Sequence, residues 1–121
     1  MGERNIVGAD AGQKKARGDF IAALKTLVVE TAKKEGVVAA FACHDGLLIE
    51  RSGKAEDFDT LATSGQNLVY DGKQVLEHLR FGHLSQLALV SDNMKLAFFV
   101  VKQVAIGVAA ERRTDLNAAL S

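Results

Sequence analysis

The chain of 121 residues has no proline, no tryptophan, one cysteine and only seven aromatic residues, six phenylalanines and Tyr70. A lone thiol, Cys43, cannot close an internal disulfide. No basic start leads into an apolar run of the secretory kind, so a reducing cytoplasmic setting is expected. No stretch reaches the roughly eighteen consecutive apolar residues of a membrane span, which points to a soluble or peripheral protein. Charge of one sign is also missing, because 15 basic residues balance 15 acidic ones. A neutral chain lacks the positive field that drives phosphate binding by counterion release, and its aromatics do not interleave with Lys or Arg runs, which argues against nucleic acid as a partner. The signatures of a phosphate loop are absent too, with no GxxxxGK[ST] and no GxGxxG between a strand and a helix. Any nucleotide involved would belong to a partner.

What is present fits one domain of 12.9 kDa, large enough to bury roughly two thirds of its unfolded surface without metal or disulfide. Residues 1–18 hold four glycines and no sustained apolar period, and read as a loose arm, locally basic at Lys14, Lys15 and Arg17; the domain is expected over 19–121. From Asp19, a candidate cap, Phe20, Leu24, Leu27, Val28 and Thr31 recur at helical spacing up to Gly36. Two β-compatible runs then flank Asp45-Gly46, a hairpin signal because glycine accepts the positive φ of tight turns. Residues 57–81 form the longest periodic segment, a second helix expected to end at Gly82. Strands follow over 84–91, 94–101 and 104–110, the last two apolar on both faces and therefore central. A closing helix over 115–120, capped by Thr114, completes the order α, β, β, α, β, β, β, α. Short connections require an antiparallel sheet, and a sheet apolar on both faces needs helices on both, which gives a three-layer α+β sandwich.

The residues with reactive side chains do not assemble a site. Cys43, His44 and Asp45 are adjacent, but successive strand residues point to opposite faces, so a thiol–imidazole pair is not expected and Cys43 reads as a core residue. His78 and His83 lie five apart, not at the i, i+4 spacing of helical zinc ligands, and thiolates for a structural zinc are lacking. No catalytic residue, cofactor or metal is expected. Inside helix two, Phe58, Ala62, Gly65, Val69, Gly72, Leu76 and Leu79 alternate in steps of four and three, a seam made small by two interior glycines that each cost about 1 kcal/mol of helix propensity. Periodicity leaves two readings open: the sheet passes close beneath these glycines, or a second copy of the helix packs on them.

The passage GVVAAFACHDGLLIERSG, a long helix, then LSQLALVSDNMKLAFFVVKQVAIGVAAE and the ending TDLNAAL resemble, in order and spacing, the roadblock family of dynein light chains and bacterial or archaeal GTPase regulators. The likeness covers residues 19–120. It implies a profilin-like fold, a five-stranded antiparallel sheet with helix two on one face and the other two helices on the opposite face. It also implies dimers, with itself or a paralogue, that pair helix two with its mate and join the sheets at the third strand. The function implied is a non-catalytic adaptor or regulator of a Ras-like small GTPase. On that basis Phe58, Ala62, Gly65, Val69, Gly72 and Leu76 are expected in the dimer seam. Asp59, Thr63, Gln66, Tyr70 and Lys73, expected beside the twofold axis, are candidates for the partner surface, with Tyr70 as its anchor. The alternative is a signalling scaffold or small-molecule sensor without a GTPase, against which Phe41, Phe98 and Phe99 count because they could fill a pocket between helix and sheet. A thiol enzyme built on Cys43 ranks below both.

Overall fold

Left-handed backbone at Asp45 (φ 51°) and Gly46 (φ 76°) closes the first hairpin. Positive φ at both central residues gives the turn whose twist matches that of paired strands, so the Asp-Gly signal is realised as read. The computed structural model describes residues 2–116, with side chains from residue 15 onward. Its elements are helix α1 (Gly2–Ala32), strands β1 (Val37–His44) and β2 (Leu47–Gly53), helix α2 (Phe58–His78), and strands β3 (Gln86–Val90), β4 (Met94–Val101) and β5 (Val104–Glu111). The strands form one antiparallel sheet in the order β2-β1-β5-β4-β3. The fold class is therefore the α+β arrangement expected, with the doubly apolar β4 and β5 inside the sheet. The closing helix lies, from residue 117 on, outside the described residues; Leu116 is buried in the core on the α1 side.

Among the described residues α1 covers one face of the sheet and α2 the other, and the alternation of β1 shows it. Ala40 and Ala42 pack with Leu24 and Val28 of α1, whereas Ala39, Phe41 and Cys43 pack with Phe58, Ala62 and Val69 of α2. Under α2, Phe41 stacks edge-to-face against Phe98 at 5.9 Å and against Phe58 at 6.2 Å between ring centroids. Two glycines make this cluster possible. Gly107 stands opposite both Phe41 and Phe98 in the ladder, and a Cβ there would overlap the Phe41 ring, while a Cβ on Gly65 would overlap the Phe98 ring.

Two boundaries differ from the sequence reading. Residues 2–18, expected as a loose arm, continue α1, so Asp19 is not its cap. The segment has no proline, and Ala9, Ala11, Gln13, Lys14, Lys15, Ala16 and Arg17 are good helix formers. Extending a helix already anchored by tertiary contacts is far easier than nucleating one. Among the residues whose side chains are described, 15–23 are all exposed and Leu24 is the first buried one. The other boundary is the end of α2. The expected stop was Gly82, but the left-handed C′ position is Arg80 (φ 58°), with Phe81 N–H donating to the Leu76 carbonyl at 2.9 Å and Arg80 N–H to that of Glu77 at 3.0 Å. This is the Schellman pattern with arginine where glycine is usual. Because a Cβ is penalised there, Arg80→Gly is expected to raise stability by about 0.5–1 kcal/mol, read as a higher urea midpoint with unchanged slope.

Candidate interaction surface

Asp57 sets the start of α2. Its carboxylate accepts from the Thr60 backbone N–H at 3.0 Å and from the Thr60 hydroxyl, and these bonds hold its carboxyl below the usual carboxylate range. From this cap, 100° per residue distributes the helix into three lines. The middle line, Phe58, Ala62, Gly65 and Val69, is buried against the chain's own sheet. These four residues, expected in a dimer seam, are thus core residues. The 3-4 spacing that suggests a helix pair equally serves a helix lying on a sheet, and Gly65 is small because Phe98 fills the space beneath it. Gly72 and Leu76 continue the line half-buried, with Gly72 over Leu84.

Roughly 85° to one side of the buried line runs an apolar stripe of Leu61, Leu68, Val75 and Leu79. Val75 is 56% and Leu79 51% exposed. Beside the stripe a largely apolar groove is lined by Leu61, Leu89, Val90, Met94, Leu96 and Ala109, together with Ser91 and Lys95, where α2 leaves β4 and β3 uncovered. The outer edge belongs to β3, whose five residues QLALV carry no charge. The opposite edge strand, β2, is LLIERSG and places Glu50 and Arg51 along its length, the usual guard against edge pairing. The sequence reading did not single out this stripe, which could have been found by asking which apolar residues remain once a core face of ordinary width is filled.

Roughly 90° to the other side lie Asp59, Thr63, Gln66, Tyr70 and Lys73. All five partner candidates fall on one ridge, exposed except for Gln66 and Lys73, which are half-buried, and Tyr70 stands 58% exposed. The ridge borders the β1–β2 turn, with Gly46 against Gln66, rather than the apolar stripe. The placement beside a twofold axis thus does not follow for a dimer made through the stripe, because the two lines point away from each other.

Cys43 and His44 are separated as the strand alternation requires. The Cys43 thiol is buried and donates to the Ala105 carbonyl at 3.6 Å; His44 reaches the other way, with Nε2 3.3 Å from Gln103 Oε1 and Nδ1 3.6 Å from Asp45 Oδ2. Burial pushes the thiol pKa up, because the thiolate would lose its hydration. Cys43 is therefore expected to resist a thiol-specific chromogenic reagent in the native protein and to react fully once unfolded; equal rates in both states would remove its assignment as a core residue. The same shift stabilises the fold fully below the ordinary thiol pKa, and that contribution is lost as pH rises toward the folded value. Phe41 and Phe98 fill the space between α2 and the sheet, while Phe99 lies on the opposite face against the α1-side core, a correction to its expected place. No helix among the described residues is long and apolar enough to cross a membrane.

No protein-family model matches the sequence, and no curated protein matches it as a relative. Solved structures do share its fold. MglB of Myxococcus xanthus superposes with a TM-score of 0.74 at 16% identity, over 82% of this chain and 77% of that one. A Roadblock/LC7 domain from Streptomyces avermitilis gives 0.68 at 20% identity, over 84% of each chain. The gliding protein MglB of Thermus thermophilus gives 0.69 at 15%, over 78% of this chain and 75% of that one.

Proposed function

With the roadblock fold as premise, we propose that this chain is a non-catalytic adaptor of the roadblock family that works as a dimer, with itself or a paralogue, and binds a Ras-like small GTPase. The observation that carries the dimer is the unguarded β3 edge lying next to the apolar stripe of α2. An uncharged edge strand exposes a row of unpaired backbone donors and acceptors and is an aggregation hazard unless it is covered. A second β3 would complete those hydrogen bonds and bring the two stripes of Leu61, Leu68, Val75 and Leu79 together in one isologous interface. Self-association has a parallel among the structures of this fold, one of which, at TM-score 0.72 and 14% identity, is described as MglB with tetrameric arrangement. The GTPase reading is supported by the resemblance to the family.

Light scattering should report a dimer in the micromolar range, and a chain that stays monomeric at high micromolar concentration would overturn the dimer. For the GTPase, calorimetry with a Ras-like GTPase encoded beside this gene, in its GDP and GTP-analogue states, should show binding to at least one state. Tyr70→Ala should weaken it tenfold or more, as expected for an aromatic anchor, about 1.4 kcal/mol or above. Absence of binding to either state sinks the GTPase; unchanged affinity in the variant sinks the assignment of Tyr70.

A further inference from the structure

Two clefts open on the hairpin side of α2, and the same two lysines stand in the wall of both, Lys73 from the helix and Lys102 from the β4–β5 turn. Neither makes an ion pair or a hydrogen bond among the described residues, although Lys73 is half-buried. The neighbouring acids do not neutralise them. Asp45 faces His44 at 3.6 Å. Glu77 follows Lys73 by four positions, the less favourable order for a helical pair, and forms no salt bridge with it. The backbone at Lys102 is left-handed, with φ at 56°, as the first residue of the two-residue hairpin turn between Val101 and Val104. The turn is held in place by Gln103, whose Oε1 lies 3.3 Å from His44 Nε2. The turn thus places the unpaired Lys102 in the wall of the same two clefts as Lys73.

We propose that Lys73 and Lys102 form a two-point receptor for a carboxylate carried by an acidic peptide segment of a partner protein. The tighter cleft, about 210 Å³, is lined also by Asp45, Gln66 and Gln103, and is smaller than the roughly 300–1,000 Å³ of small-molecule pockets. It suits one side chain. Lysine ammoniums are point charges without the fork that arginine offers a phosphate. Asp45 and Glu77 close by, with the negative end of α2, disfavour a dianion and leave a carboxylate, with the Gln66 and Gln103 amides available to its remaining oxygen. The site lies away from the apolar stripe and needs neither the dimer nor a GTPase, so its failure would leave those readings standing.

The test is a titration of the full-length ¹⁵N-labelled chain, at low ionic strength, with a blocked peptide of alternating Asp and Glu and, separately, with inorganic phosphate. The peptide is expected to shift the backbone amides of Gln66, Lys73, Lys102 and Gln103 saturably, and added salt to reverse the shifts. Lys73→Gln and Lys102→Gln should each weaken the peptide about tenfold, the loss of one charge-assisted contact, with the rest of the spectrum unchanged to show an intact fold. No saturable shift at these amides, shifts indifferent to both substitutions, or saturation by phosphate but not by the peptide would each overturn the proposal.

Discussion

Leucine in place of Gly65 is expected to abolish the docking of α2 on the sheet and leave the chain unfolded or aggregated, with loss of native near-ultraviolet signal. A Cβ alone would already overlap the Phe98 ring, and that ring cannot withdraw, because it is fully buried and stacked on Phe41. Overpacking a closed core costs about 1–3 kcal/mol for modest additions and more for a whole side chain, against a total stability of roughly 5–15 kcal/mol. Alanine scanning of the two helix glycines separates this account from a seam between copies. In Gly65→Ala the propensity gain of about 1 kcal/mol works against the clash, and a net loss is expected. In Gly72→Ala the new methyl would meet Leu84 Cδ2 at 3.3 Å, the flexible end of a half-buried side chain, so the propensity gain should prevail and stability should stay level or rise. Paired urea titrations read the difference directly. A stable, dimer-deficient Gly65→Leu would instead return Gly65 to the interface.

Why the sequence left those glycines between two readings is a matter of period. The hairpin was legible because Asp45-Gly46 demands a specific backbone that few other dipeptides accept, and β4 and β5 were legible as inner strands because both of their faces are apolar. A helix on a sheet and a helix on a helix, by contrast, both ask for small and large apolar residues at steps of three and four, so Phe58, Ala62, Gly65 and Val69 carry no mark of which partner they meet. What distinguishes the two is the apolar residue left over. Leu61, Leu68, Val75 and Leu79 are surplus to a single buried face, as the exposure of Val75 and Leu79 shows. The α1 boundary failed for a different reason. Gly8, Gly12 and Gly18 read locally as breakers, whereas a helix anchored at Leu24 and Val28 propagates through them. The wall shared by Lys73 and Lys102 was not legible at all, since residues 29 positions apart meet only through the crossing of α2 over the β4–β5 turn.

Lysine at Leu89 is expected to convert the dimer to a folded monomer. Leu89 is 45% exposed on β3, so in an isolated chain the substitution removes little buried surface and the urea midpoint measured at low concentration should move only slightly. In the proposed dimer the same position faces the groove beside the partner's β3, where twofold symmetry brings each new ammonium near its copy. Like charges set across an interface cost several kcal/mol, and an edge lysine is itself the device by which natural sheets refuse a further strand. The dissociation constant should therefore rise by about a hundredfold or more, seen in sedimentation velocity as a concentration-dependent shift to the monomer. Val75→Lys, on the neighbouring stripe of α2, should act in the same direction. Leu47→Lys is the control: Leu47 is more exposed, at 72%, but sits on the guarded β2 edge, and its substitution should leave the dimer untouched. If Leu89→Lys and Leu47→Lys sediment alike, the copies meet elsewhere, and the bare β3 edge must be covered by something other than its own mate.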